Sequence, residues 1–409
     1  MTKQQQETHV VRKKMRRALA LWVVALGVTP GAFADTPNVI KLGLSVPLSG
    51  SGANWGKGSE WLCKQAADEI QKAGGVKVSN KVYNYACVAY DNKYNAADGA
   101  KVAQTLLNRD GVKYIGGSLG TAPTHALQSL TEREGVVLFT TAWGASIKGP
   151  KFPLTFTQMN TPVEIAPPLV RYVKQSNPKI QTVALLNPND ATGQETEKLA
   201  RKAWEAVGVK VVASDWYDRG TTEFQPVAAK LAGLKPDVVD LCSSPPADGG
   251  LVFKELDATG WNGIKVVEVG TGADGLLATG GHAVNKAYLG AAMTFDGPGV
   301  TARQRELNQG ARAVTGESLN AIQVGFYDAV KALKGAMEKA QSVDPAAVAN
   351  ALPSVTFDSF YGRAAFGEKS VYGSAQQILV PVIVTQIQGD KLVEVARISP
   401  DELRQRTGQ

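Results

Sequence analysis

Short apolar runs and amphipathic stretches alternate along the chain in two series. The first series opens with "VIKLGLSVPL" (39–48), an apolar run that ends in a Gly/Ser-rich turn and predicts a strand. "KGSEWLCKQAADEIQKA" (57–73) sets Leu62, Cys63, Ala66, Ala67, Ile70 and Ala73 on one helical stripe, and Gly74-Gly75 stops it. Strands at 82–90, 112–117 and 136–141 then alternate with helices at 95–109 and 123–134, before "LTFTQMN" (154–160). The second series begins near Thr161, with strands at 182–187, 209–214, 237–243 and 264–270 and helical stretches between them. It continues through "AYLGAAMTF" (287–295), helical segments at 301–315, 320–340 and 345–351, and a closing hairpin. In that hairpin "LVPVIVTQI" turns at Gly389-Asp390 into "LVEVARI". Two series of alternating strands and helices predict an α/β fold of two doubly wound parallel-sheet lobes. No repeat of 20–50 residues interrupts this reading.

Length and composition agree: 409 residues, 44% of them apolar, suffice for two lobes with cores of ordinary size. The N-terminus reads as an export signal. Arg12, Lys13, Lys14, Arg16 and Arg17 precede the apolar run 18–28, and Ala32-Phe33-Ala34 matches an A-x-A site, so cleavage is expected before Asp35. The run is short of the roughly 20 residues that a spanning helix needs. Export changes the charge picture. Residues 1–34 carry six Lys/Arg and one acid, which leaves 38 bases and 36 acids, a net of +2, from a total of +7. The basic balance is mostly a property of the signal and gives no argument for nucleic acid. In an oxidising compartment Cys63, on the first helix, and Cys87, on the second strand, are expected to pair, leaving Cys242 free. The alternative is two buried thiols. Three Cys and three His lack metal-ligand spacing.

Open α/β sheets bind ligands beyond the carboxyl ends of their strands. That rule nominates loops 48–58, 91–95, 116–124 and 141–148 in the first lobe, and 187–194, 215–222, 243–249 and 270–276 in the second. Trp55, Trp143 and Trp216 fall in or beside them, which suits an organic ligand in a cleft between the lobes. Three stretches also carry enzyme-like signals. "GGSLG" (116–120) matches the G-x-S-x-G of a nucleophile elbow, with Ser118 as its serine. A triad would need His125, or His282 with Asp274, as base and acid. "GTGADG" (270–275) matches a dinucleotide fingerprint but lacks the following helix, and "GANWGKGS" (52–59) misses phosphate-loop spacing.

On "IKLGLSVPLSGSGANWGKG", "DNKYNAADGAKVAQTLL", "GGSLGTAPTHALQSLTEREGVVLFTTAWGAS" and "PDVVDLCSSPPADGGLVFKEL" the chain resembles a known family. It is similar to the type I periplasmic solute-binding proteins of the branched-chain amino acid (Leu/Ile/Val) class, which serve ABC importers. The resemblance implies a periplasmic monomer without cofactor that hands a small carboxylate or amino acid to an inner-membrane permease, with no enzymatic step. It implies three crossovers near 157–161, 294–299 and 354–360, hence one lobe of 38–158 plus 297–356 and another of 159–296 plus 357–400. Position by position, Trp55 matches the family's aromatic wall. Ser118, Leu119, Gly120 and Thr121 match the turn that grips a carboxylate, and N–H groups at a helix start do favour an anion. Ala142, Trp143 and Gly144 match the next loop. Gly144 lacks the hydroxyl that holds an α-amino group in amino-acid binders. Thr192 and Pro245 stand where aromatics are usual, and Asp274 or Asp248 is the acid for an ammonium. These departures favour a carboxylate ligand with an apolar or aromatic body; a branched-chain amino acid is the alternative.

Overall fold

The computed structural model describes residues 38–408 apart from 298, so the expected export signal lies outside the described residues. Sixteen strands form two sheets. They are β1 (Asn38–Val46), β2 (Val76–Val78), β3 (Lys81–Asp91), β4 (Tyr114–Ser118), β5 (Val137–Thr140), β6 (Thr155–Thr157), β7 (Thr182–Pro188) and β8 (Lys210–Tyr217). The remainder are β9 (Val238–Asp240), β10 (Ile264–Val267), β11 (Tyr288–Leu289), β12 (Thr356–Ser359), β13 (Gly362–Gly367), β14 (Gln377–Leu379), β15 (Val382–Gln388) and β16 (Lys391–Ile398).

The first sheet runs β12-β13-β14-β6-β5-β4-β1-β3-β2, and its central strands are parallel. The second runs β16-β15-β11-β10-β9-β7-β8, parallel except for the β15–β16 hairpin at its edge. In each sheet the chain order reverses beside the first strand of its series, at β1/β4 and at β7/β9. Those reversals are where loops diverge and leave a crevice. Both sheets are mixed, because each carries antiparallel strands at an edge.

Local signals place the elements well. The helix Ala53–Lys72 buries Leu62, Cys63, Ala66, Ala67 and Ile70 as the apolar stripe requires, and it ends where Gly74 and Gly75 take positive φ. Cys63 on this helix is joined to Cys87 on β3 by a disulfide, and Cys242 is a buried free thiol. The helix Ala321–Ala340 starts on an Asn320 capping box and is buried along most of its length.

One boundary differs from the sequence expectation. The chain crosses from the first sheet to the second at 158–161 and returns between β11 and the helix Ala302–Thr315. The third crossing is at Val380-Pro381, not at 354–360. The cause is a hairpin that the apolar pattern hid: β12 and β13 pair antiparallel, β14 joins them, and Gln377 sits in register with Thr157 on β6. Residues 356–379 therefore extend the first sheet. The first and third crossings touch, since the Asn160 Nδ2 group donates to the carbonyls of Val380 and Pro381 at 3.2 Å each. Beyond β16 the helix Asp401–Thr407 returns to the first lobe, where Leu403 packs with Ala365 and Leu379.

Candidate functional site

The loops at the carboxyl ends of the two sheets face each other and touch. β4 ends at Ser118, Gly120 adopts a φ of 94°, and the helix Thr121–Thr131 begins with no side chain capping it. On the other side the helix Ala191–Ala206 begins after β7, capped by the Asp190 carboxylate, which accepts from the Gly193 N–H at 2.9 Å. The two helix starts meet through threonines. Thr192 Oγ1 donates to Thr121 Oγ1 at 2.9 Å and accepts from the Thr121 N–H at 3.4 Å. The Gly144 N–H donates to the same Thr121 hydroxyl at 3.2 Å.

Aromatic rings gather around this contact. Tyr94, in the loop after β3, lies with its ring centroid 6.4 Å from that of Trp55, and its hydroxyl is 3.5 Å from Thr192 Oγ1. Trp143 is buried, and its indole Nε1 has no hydrogen-bond partner in the protein. From the second lobe Arg219 lies over the Tyr94 ring, 4.5 Å from guanidinium carbon to centroid, while its Nε donates to Asp190. Burial opposes the Arg219 charge, but the face of the Tyr94 ring and the Asp190 carboxylate favour it, and the guanidinium stays protonated. Asp248 receives the Tyr217 hydroxyl at 3.1 Å. Burial raises its pKa, against the opposing effects of Tyr217 and Arg219.

The structure sorts the sequence-nominated residues. It brings Trp55, Gly120, Thr121, Gly144 and Thr192 to the contact between lobes, whereas Trp143 is buried in the core cluster. Ser118 and Leu119 turn inward. Ser118 is fully buried, with its hydroxyl 2.9 Å from Thr124 Oγ1, and Leu119 packs in the core. The Ala142 N–H is engaged by Thr140 Oγ1 at 3.0 Å. Pro245 is buried at the start of the helix Pro246–Ala258, beside Ser244, whose buried hydroxyl has no partner. Asp274 is already engaged, accepting from the Ser318 N–H at 2.6 Å and from Arg312 at 3.0 Å. Trp216 points outward, 39% exposed; its neighbour Tyr217, on the opposite face of β8, is the inward ring.

Gly144 has a steric explanation. A Cβ there would lie 2.5 Å from the Thr121 methyl and 2.9 Å from Glu195 Oε1. The hydroxyl-bearing side chain that amino-acid binders use has no room, and a carboxylate from the second lobe stands at that spot. Glu195 accepts from the Ser146 N–H at 2.9 Å and from the Ser146 hydroxyl at 2.6 Å. Tyr94, Glu195 and Arg219 escaped sequence reasoning as individual residues. Arg219 and Tyr94 do lie in nominated loops, and their identity as a buried cation and a ring at a strand's carboxyl end was the available signal.

Two of the three enzyme-like stretches are explained by packing; the third, "GTGADG", leads, against expectation, into a short helix, Asp274–Gly280. His125 Nε2 lies 2.8 Å from Ser146 Oγ, and the Ser118 hydroxyl is engaged by Thr124. His282 is 90% exposed at its side chain, 3.3 Å from Asp257. Neither histidine serves Ser118 as a base. Gly117 is small because a Cβ would sit 2.1 Å from the Phe326 ring. Gly56 and Gly58 are filled in the same way by the Pro47 carbonyl and the Gln323 amide.

Residues 39–391 match the family described as periplasmic binding protein, and the chain belongs to that family. Among its relatives is the leucine-, isoleucine-, valine-, threonine- and alanine-binding protein of Pseudomonas aeruginosa, 24% identical over 87% of this chain and 92% of that protein. The solved solute-binding protein of an ABC transporter from R. palustris in complex with benzoate aligns with a TM-score of 0.72 and 18% identity, over 90% of this chain and 99% of that one. A branched-chain amino acid transporter substrate-binding protein from Streptococcus pneumoniae, in complex with isoleucine, aligns with a TM-score of 0.71 and 19% identity, over 89% and 100%.

Proposed function

We propose that this chain is the exported solute-capturing component of an ABC importer, which closes its two lobes on a small carboxylate and presents the closed form to an inner-membrane permease. The observation that carries this reading is the contact between the two sheets' carboxyl-end loops, where the Thr121 helix start, the rings of Trp55 and Tyr94 and the Arg219 guanidinium converge. Opening the hinge frees the Thr121 N–H and hydroxyl from Thr192, and a ligand carboxylate takes those donors on closure. Rings from both lobes suit an apolar or aromatic body, as in the relative solved with benzoate. No bond is made or broken in this cycle.

A second reading has its own support. Glu195 and Asp248 place carboxylates at the cleft, which would serve the ammonium of a branched-chain amino acid, the ligand named for the P. aeruginosa relative. A thermal-shift screen of the mature protein with benzoate, 4-hydroxybenzoate, leucine and valine separates the two. Saturation at about 100 Kd adds about 2.7 kcal/mol to stability. A response to the benzoates supports the first reading, a response to leucine and valine alone supports the second, and a response to none removes both.

A further inference from the structure

Arg219 differs from the other charged groups of the cleft in being incompletely satisfied. Its Nε pairs with Asp190, yet its Nη2 nitrogen is fully buried and has no hydrogen-bond partner. Asp190 is itself shared, since it also caps the helix Ala191–Ala206. The guanidinium is buried by closure: the Tyr94 ring that covers it comes from the first lobe. The charge is paired with Asp190 and about a fifth of the side chain stays exposed, so the unmet cost is that of one buried donor, Nη2, left without an acceptor. A carboxylate oxygen would remove that cost, and the planar fork of arginine suits it.

We infer that Arg219 is the second lobe's anchor for the ligand carboxylate, opposed to the Thr121 helix start of the first lobe, and that closure is thereby coupled to the ligand's negative charge. The inference rests on the capture reading above and deepens it by assigning the group that reads the charge. An apolar solute without a carboxylate leaves Nη2 unpaired when the lobes shut, so it is rejected at closure and not at first contact. Tyr94 contributes by covering the guanidinium, and its pKa is raised by burial, so the ring stays neutral.

Titration calorimetry on the mature protein tests this with benzoate against benzamide and leucine against leucinamide. Wild-type protein is expected to bind whichever carboxylate it accepts about 100-fold more tightly than the matching amide. Arg219→Gln is expected to lose about 100-fold for the carboxylate and far less, about threefold, for the amide, whose carbonyl accepts one hydrogen bond but carries no charge. Arg219→Lys, which keeps the partner of Asp190 but not the fork, is expected to fall between. Amide and carboxylate binding alike to wild type, or Arg219→Gln within threefold of wild type for the carboxylate, overturns the anchor while the capture reading stands. Binding of neither carboxylate by wild type overturns the capture reading and the anchor with it. Should Arg219→Gln fail to fold, the amide comparison and Arg219→Lys decide.

Discussion

The two faces of the cleft are made from the same element, a parallel strand feeding a helix at its carboxyl end, yet they carry opposite chemistry. The first lobe presents neutral groups: Trp55, Tyr94, the Thr121 hydroxyl and a helix start whose N-cap residue, Gly120, has no side chain. The second presents ions: Asp190 capping its helix, Arg219 paired to it, Asp248 under Tyr217, and Glu195 reaching across to Ser146. The first helix start is met only by the neutral Thr192 hydroxyl and keeps its partial positive charge, whereas the second spends it on its own aspartate. In the proposed capture, the second lobe meets the anion with a guanidinium where the first lobe offers backbone N–H and a hydroxyl.

The contrast can be broken or sharpened by experiment. The largest expected effect separates the lobes by covalent chemistry, since the disulfide lies wholly within the first. Replacing Cys63 and Cys87 together by Ala should cost about 3 kcal/mol in the chain-entropy account, seen as a lower urea midpoint. Equal loss of amide protection from exchange in both lobes would argue against independent lobe cores.

A comparable effect sets the hinge against the cleft, because each holds a buried cation. Lys148 is buried beside Thr161, Tyr372, Gln377 and Glu164, and burial lowers its pKa from 10.5 to about 8 despite Glu164 and Glu368. Below pH 8 both folded and unfolded states hold the proton. Between pH 8 and 10.5 only the unfolded state keeps it, so this group makes stability rise with pH by roughly 3 kcal/mol at most. Lys148→Met should abolish that rise in unfolding free energies measured from pH 7 to 10.5, whereas Arg219, held protonated, adds no slope.

Gly144→Ala should come next. Its new methyl meets Thr121 and Glu195, and overpacking of this kind costs about 1–3 kcal/mol, felt here as weaker closure and weaker ligand binding. Thr121→Val removes the hydroxyl shared by Thr192 and Gly144 and should weaken binding about tenfold. Ser118→Ala, three residues away, should change affinity less than threefold and stability by about 1 kcal/mol, because its hydroxyl serves Thr124. Equal affinity losses for these two variants would return Ser118 to the binding surface.

Much of this was legible in the chain. Apolar runs located the parallel strands, and the carboxyl-end rule nominated the Thr121 turn and the Arg219 loop, both of which lie at the contact between the lobes. The missed features share a physical cause. Tyr94 and Arg219 stand on loops of different sheets, and no spacing along the sequence encodes a contact between such loops. Gly144 read as a missing hydroxyl, while its real constraint is the Thr121 methyl in the space beside it. The hairpin of β12 and β13 was hidden because "TFDSFYGRAAFG" has neither a clean alternation nor an Asn-Gly turn. Its aromatic residues pack into a ring cluster, with Phe366 5.4 Å from Phe156 and 6.0 Å from Phe139.

The closing helix Asp401–Thr407 gives the molecule a fourth tether. Glu402 accepts the Glu368 N–H at 2.8 Å, and Arg406 donates to the Pro353 carbonyl at 2.6 Å, so this segment rides on the first lobe although β16 belongs to the second. A fluorophore fixed on this helix would report the position of the first lobe, and one on β16, a few residues earlier, that of the second. Two labels so placed would stay close together through the whole opening stroke. A useful distance gauge needs its second dye far from the pivot, beyond the strap's reach, for instance at exposed Trp216.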